Sequence, residues 1–147
     1  MQLQFALQEI DREATKQAVE GVLEKYRMYS LQLCLDKLPS VTANYSLMPG
    51  SKGSASSAVE KAAIDNVTYE IEREKYLQWI IRAVNRLNYQ ERSIVITRYL
   101  NEEELFDYEV YTKLNMSERQ YYRIKSRVFY KLAFALRIEV YKDGVAL

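Results

Sequence analysis

The residues best suited to chemistry lie in the last third of the chain, where an acidic segment gives way to a basic one. Residues 101–118 carry six acidic side chains and one base, whereas residues 119–131 carry five bases and no acid. The net charge of the chain is only +1, so the asymmetry is spatial. Arginines and lysines interleaved with tyrosines suit the phosphates and base edges of duplex DNA.

A helical wheel through the basic segment separates an apolar face from a cationic one. Tyr121, Ile124, Val128, Leu132 and Ala135 form the predicted core side, with Lys131 at its edge. Arginine reads guanine bidentately and glutamine reads adenine, so the candidates for base contacts are Arg119, Arg123 and Gln120. Ser126 lies on the same face, and the candidates for phosphate contacts are Tyr122, Lys125, Arg127, Tyr130 and Lys131.

The segment before the basic helix has the pattern of a helix-turn-helix. A short helix is predicted at residues 108–114 with Asp107 as its N-cap, followed by a turn at residues 115–116. Ser117 then caps a helix that runs to residue 140, and Gln120 completes a Ser-x-x-Gln capping box. An ordinary amphipathic helix with a solvated basic face is the alternative interpretation.

Two long helices are predicted upstream, which makes the expected fold an all-α helical bundle. The first spans residues 11–38, with Gly21 as a weak point and with apolar residues at helical spacing: Ala14, Ala18, Val22, Tyr26, Tyr29 and Leu33. The second spans residues 58–87, and its predicted apolar stripe is Val59, Ala63, Val67, Ile71, Leu77, Ile80, Ile81, Val84 and Leu87. Asn88 and Glu91 predict a capping box for a further helix.

The segment between these helices is rich in serine, glycine and proline, which is typical of a linker. The predicted organisation is an N-terminal helical region at residues 1–38, a flexible linker at residues 39–57 and a DNA-binding domain at residues 58–147.

The composition argues against catalysis. The chain has no histidine and one cysteine, so a histidine general base and a Cys/His zinc site are excluded. Cys34 lies in an apolar run and is predicted to be a buried small hydrophobe. No apolar run approaches the length of a membrane span. We expect a cytoplasmic protein that is not an enzyme, requires no cofactor or metal, and has no membrane partner.

Three segments resemble the ArpU family of phage and prophage transcriptional regulators. They are Ile-Ile-Arg-Ala-Val-Asn-Arg-Leu at residues 80–87, Glu-Arg-Ser-Ile-Val-Ile-Thr-Arg-Tyr-Leu at residues 91–100, and the region 116–133. Within the third, Ser-x-Arg-x-Tyr-Tyr-Arg-x-Lys at residues 117–125 and Lys-Leu-Ala at residues 131–133 are the most specific parts. The C-terminal part also resembles the fourth region of sigma-70-type factors, which carries a helix-turn-helix.

The resemblance implies a regulator, usually an activator, of phage late genes for packaging, morphogenesis or lysis. Gln120 stands where many members carry a small hydroxyl residue, which implies a different base preference. The expected partner is double-stranded DNA, with RNA polymerase and a second copy of the chain as further candidates.

Two other hypotheses remain open. In the first, the chain is an adaptor that binds RNA polymerase, and the acidic residues 102–109 face a basic surface of the enzyme. Those carboxylates also suit helix N-termini and solvated faces without any partner. In the second, the chain is a small terminase subunit, which uses a helix-turn-helix to mark phage DNA for packaging.

Overall fold

The computed structural model describes residues 9–36 and 55–142, with side chains from 9–33 and 57–142. The described residues form five α-helices, and a π-helical turn, Ile96–Leu100, continues α3. The bounds are α1 Arg12–Asp36, α2 Ala55–Val84, α3 Tyr89–Val95, α4 Asp107–Lys113 and α5 Glu118–Leu136. The all-α prediction is confirmed for this part of the chain. None of its helices is long and apolar enough to cross a membrane.

The start of α1 and the bounds of α2 differ modestly from the prediction. Asp11 caps α1, because its Oδ1 accepts a hydrogen bond from the backbone N–H of Ala14 at 3.1 Å. Helix α2 occupies residues 55–84 rather than 58–87. It ends where the backbone hydrogen bonds change from a spacing of four residues to a spacing of three, from the Arg86 N–H to the Ala83 carbonyl and from the Leu87 N–H to the Val84 carbonyl. Residues 55–57 are therefore helical. The rest of the predicted linker, residues 39–54, and the Cys34 side chain lie outside the described part of the structure.

One hydrophobic core joins α1 to the other helices. Its centre is α5, and the side chains of Ile124, Val128 and Leu132 pack there with residues of α1, α2 and α3. Helix α1 contributes Val19 and Leu23, which lie one position beyond the predicted row. The predicted row itself, from Ala14 to Leu33, is half-buried along the edge of the helix.

The predicted apolar stripe of α2 is only half correct. Leu77, Ile80, Val84 and Leu87 are buried, whereas Val59, Val67 and Ile71 are exposed. All the described side chains at residues 57–72 are exposed, so the first half of α2 lies beyond the core. Val67 and Ile71 also lie on the side away from the core, because a spacing of four residues drifts around a helix of 3.6 residues per turn. The core side of α2 is the side that carries Ile80 and Val84.

The segment from residue 88 to residue 101 contains two predicted features and one that was not predicted. The Asn88 capping box is confirmed, with bonds of 2.9 Å from the Glu91 N–H to Asn88 Oδ1 and 3.1 Å from the Asn88 N–H to Glu91 Oε1. The chain leaves the helical conformation at Asn101, as the acidic run predicts. The π-helical turn before it was not predicted, and Arg27 Nη2 donates to the carbonyls of Arg98 and Tyr99 within it at 2.9 and 3.0 Å.

Helix α5 ends earlier than the predicted residue 140. Arg137 adopts the left-handed conformation, with φ of 59°, and the N–H of Ile138 donates back to the Ala133 carbonyl at 2.9 Å. This bonding satisfies the last carbonyls of the helix and turns the chain out of it. The following residues run antiparallel to residues 9–11, with a bridge between Ile10 and Tyr141 and a 2.8 Å bond from the Asp11 N–H to the Val140 carbonyl.

Candidate nucleic-acid interface

The exposed face of α5 is cationic over its first three turns. Arg119, Arg123, Ser126 and Arg127 are exposed, and so is the ring of Tyr122. Gln120 and Tyr130 are half-buried beside them. Because residues three, four and seven apart lie on one side of a helix, these side chains form a single surface row. Seven of the nine predicted contact residues therefore lie together on the surface of the protein.

The turn before α5 fixes where that row begins. Residues 114–117 connect α4 to α5, and Asn115 adopts the left-handed conformation with φ of 55°. The Met116 N–H donates to the Tyr111 carbonyl at 2.9 Å, which closes the end of α4. Ser117 Oγ accepts from the Gln120 N–H at 3.2 Å, so the predicted Ser117 cap is confirmed. Arg119 is thereby placed in the first turn of α5.

Asp107 does not cap α4, contrary to the prediction. The helix begins at Asp107, and its preceding residue is satisfied by a 2.8 Å bond from the Phe106 N–H to Glu109 Oε2. The Asp107 carboxylate instead turns inward. Its Oδ1 accepts from Tyr121 Oη at 2.6 Å, from Lys125 Nζ at 2.9 Å and from Arg98 Nε at 3.1 Å. One carboxylate therefore ties α4 to α5 and to the π-helical turn.

This contact corrects the assignment of Lys125 as a phosphate ligand. Lys125 is only 9% exposed, and its ammonium lies among the rings of Tyr99, Tyr121, Tyr122 and Phe129 as well as on Asp107. It lies on the core side of α5, where a buried ammonium must be paired, and Asp107 supplies the acid from α4. Lys125 is therefore a residue that positions α5 against α4.

Ionisation of the Asp107 cluster follows from these bonds. Burial raises the pKa of Asp107, but hydrogen bonds from Tyr121 and Lys125 and the charges of Lys125 and Arg98 outweigh it, so the net pKa lies below the usual range. Burial and the bond to Asp107 raise the pKa of Tyr121, whose hydroxyl therefore stays protonated as the donor. The cluster holds one negative charge against two positive ones at neutral pH.

Lys131 also forms an ion pair within the protein. Its Nζ lies 2.8 Å from the carboxylate of Glu91, a side chain that is 1% exposed. Burial raises the pKa of Glu91. The bonds with Lys131 and Asn88 and the charges of Lys131 and Arg127 lower it by more, so the net pKa is depressed. Lys131 remains half-exposed, but its ammonium is already paired and is not a free phosphate ligand.

Two exposed aromatic rings at the start of α4 were not predicted from the sequence. Phe106 and Tyr108 stack with their centroids 5.9 Å apart and their planes 8° from parallel, at the start of α4. The sequence signal is a pair of aromatic residues flanking Asp107 inside an acidic run. Such a pair is easily taken for core residues, and only the inward turn of Asp107 leaves both rings outside.

The fold and this surface together define an all-α protein whose last helix presents a cationic face. Comparison with known proteins adds an origin. The chain is 31% identical over 139 residues to the uncharacterized phage-related protein Lin1259/Lin1739 of Listeria innocua, a match that covers 94% of this chain and 97% of the relative. The chain belongs to the family of that phage-related protein. No protein-family model and no solved structure matches it.

Proposed function

We propose that this phage-related protein is a sequence-specific DNA-binding transcriptional regulator. In this proposal α4, residues 114–117 and α5 form a helix-turn-helix, and α5 is the helix that enters the major groove. The observation that carries the proposal is the exposed row of Arg119, Arg123 and Arg127 on the outer face of α5. A short helix, a turn of about four residues and a long helix with its cationic face at the N-terminal end match the docking geometry of this motif.

The roles of the individual residues follow from their exposure. Arg119 and Arg123, with Gln120 beside them, contact base edges, because their side chains project from the first two turns of α5. Tyr122, Arg127 and Tyr130 flank these three base-contacting residues and contact phosphates, as does the hydroxyl of Ser126. Lys125 and Lys131 act indirectly, because their ammonium groups hold Asp107 and Glu91 and so fix the orientation of α5.

The phage-related relative supports a phage origin. The resemblance to ArpU regulators supports a role in controlling phage genes. We propose activation of late genes, for packaging, morphogenesis or lysis, in the cytoplasm of the bacterial host. The function is binding rather than catalysis.

The test is fluorescence anisotropy of the full chain with DNA fragments that tile the phage genome around its gene, repeated across salt concentrations. We expect one fragment to bind about a thousandfold better than the others, with a steep salt dependence. Arg123→Ala should weaken binding to that fragment by about 1–3 kcal/mol and relax specificity at one base pair. Arg127→Ala should weaken binding to all fragments alike and lower the salt slope by about one.

Arg82→Ala is the matched control, because Arg82 is an exposed arginine on α2 outside the proposed interface. It should leave both affinity and specificity unchanged. Equal weak binding of all fragments would contradict the proposal and favour the polymerase adaptor, which capture of purified RNA polymerase would then test. Ring-shaped oligomers on DNA, measured by native mass spectrometry, would favour the terminase hypothesis.

A further inference from the structure

All the described side chains at residues 57–72 of α2 are exposed, and the side that faces away from the core carries an apolar stripe. The stripe consists of Ile64, Val67 and Ile71, whose exposed fractions are 65%, 54% and 50%. Their spacing of three and four residues places them in one row along the helix. Exposed aliphatic side chains in a continuous row are costly in water and are typical of a surface that binds a partner.

The same side of α2 stays free of the protein's own core further along. Glu74, Gln78, Arg82 and Asn85 continue the row and are all exposed, whereas Leu77, Ile80 and Val84 on the other side are buried. A partner helix lying along the stripe therefore meets only exposed polar side chains beyond Ile71. The core of the protein faces away from it.

We propose that the partner is a second copy of this chain, packed parallel and in register along residues 64–71. A parallel pair sets Ile64, Val67 and Ile71 each against its own copy, so every apolar side chain meets another. An antiparallel pair that joins Val67 to Ile64 places Ile71 against Glu60, and one that joins Val67 to Ile71 places Ile64 against Glu74. Only the parallel register buries all three positions without a carboxylate opposite an isoleucine.

The charges beside the stripe favour the same arrangement. When Ile64 and Ile71 occupy position a of the heptad, Glu70 occupies position g and Lys75 occupies position e. These two positions meet across a parallel pair of helices. Glu70 of each copy then faces Lys75 of the other, which gives two opposite-charge contacts by symmetry. In an antiparallel pair the flanking positions meet their own kind, so this complementarity is lost.

Glu60 and Glu74 bound the interface, because each would meet its own copy at one end of the stripe. The interface is therefore short, and the dimer is weak and dependent on concentration. The inference concerns α2 alone and does not depend on the proposed binding of DNA by α5.

The first experiment is sedimentation equilibrium of the full chain over a wide concentration range. We expect a monomer–dimer equilibrium, and Val67→Glu should abolish it without changing the far-UV circular dichroism, because Val67 is exposed. Glu70→Lys and Lys75→Glu should each weaken the dimer about tenfold, and the double variant should restore it to within about threefold of the parent. A monomer at every concentration overturns the proposal, as does a double variant no better than the single ones.

Disulfide crosslinking tests the register. The chain has one cysteine, Cys34, so the background variant is Cys34→Ser. In that background, Val67→Cys should form a crosslinked dimer on mild oxidation, and so should Ile64→Cys. A mixture of Ile64→Cys with Ile71→Cys chains should give only like-with-like crosslinks. Preferential crosslinks between positions 64 and 71 would show an antiparallel pair and overturn the proposed arrangement.

Discussion

Three donors share a single oxygen at Asp107, and this contact decides which cations of α5 face the solvent. Tyr121, Lys125 and Arg98 all bond to Oδ1, and they come from α5 and from the π-helical turn. A lysine that a list of basic residues would assign to DNA is thereby used to hold two helices together. The sequence alone could not reveal this, because the acid lies 18 residues before Lys125.

Replacement of Asp107 tests this role. Asp107→Ala leaves the ammonium of Lys125 buried without its acid, so we expect the free energy of unfolding to fall by about 2–3 kcal/mol. Urea denaturation followed by circular dichroism measures the change. Glu103→Ala is the control, because Glu103 is an exposed acid of the same segment, and it should change stability by less than about 0.5 kcal/mol. Equal effects of the two variants would contradict the positioning role of Asp107.

The Glu91 and Lys131 pair gives a prediction about pH. The pKa of Glu91 is depressed below its usual value of 4.5 in the folded protein, so its contribution to stability is present above that value and is lost as the pH falls through the depressed pKa. Lys131→Met removes the principal group that lowers this pKa and leaves burial as the largest influence. We expect a loss of about 2 kcal/mol at pH 7 that shrinks as the pH falls toward 4.

Glu91→Gln combined with Lys131→Met is the matched control for that measurement. It removes both charges, so it should recover much of the lost stability and show no comparable dependence on pH. Urea denaturation at several pH values between 4 and 8 follows both variants. A deficit of Lys131→Met that is constant with pH would contradict the assigned role of Glu91.

At the scale of the elements, capping residues and breakers were more informative than apolar spacing. Asn88, Ser117 and the acidic run after Leu100 predicted helix boundaries that the structure confirms. The end of α5 was missed because Arg137, in the left-handed conformation, carries none of the usual signals of a helix end. The π-helical turn was missed because its stabilising donor, Arg27, comes from a distant helix.

Gly21 allows a prediction at the scale of one helix. It lies inside α1 and is exposed, and a Cβ atom added there meets nothing within 4 Å. Gly21→Ala should therefore raise the free energy of unfolding by about 0.5–1 kcal/mol, because alanine has less backbone entropy to lose in a helix. Thermal and urea unfolding both measure this gain. A loss of stability would indicate that Gly21 has a contact that the structure does not contain.

At the scale of the whole molecule, the relation of α1 to the rest could not be predicted from local patterns. The sequence predicts separate regions at residues 1–38 and 58–147, whereas in the structure Val19 and Leu23 of α1 share the core of α5. Linker-like composition between two helices gives no information on whether they pack together. Which side chains are buried where several helices meet is determined by packing between segments that are distant in the sequence.

Leu23→Ala tests whether α1 and the later helices unfold together. Leu23 is 1% exposed, so truncation should cost about 2–4 kcal/mol through lost burial and the remaining cavity. Trp79 fluorescence reports on α2, and far-UV circular dichroism reports on all helices. The two signals should give one coincident transition, shifted to lower urea concentration in the variant. Separate transitions would mean that α1 unfolds independently of the α2 to α5 core.

The antiparallel bridge between Ile10 and Tyr141 has a consequence for synthesis on the ribosome. Residues that touch in the finished protein are separated by almost the entire described chain, so α1 leaves the exit tunnel long before its partners exist. At translation rates of about 5–20 residues per second, that interval is on the order of 10 s. During that interval, neither α5 nor residues 138–142 cover the apolar side of α1. We therefore expect a ribosome-associated chaperone to bind the nascent chain.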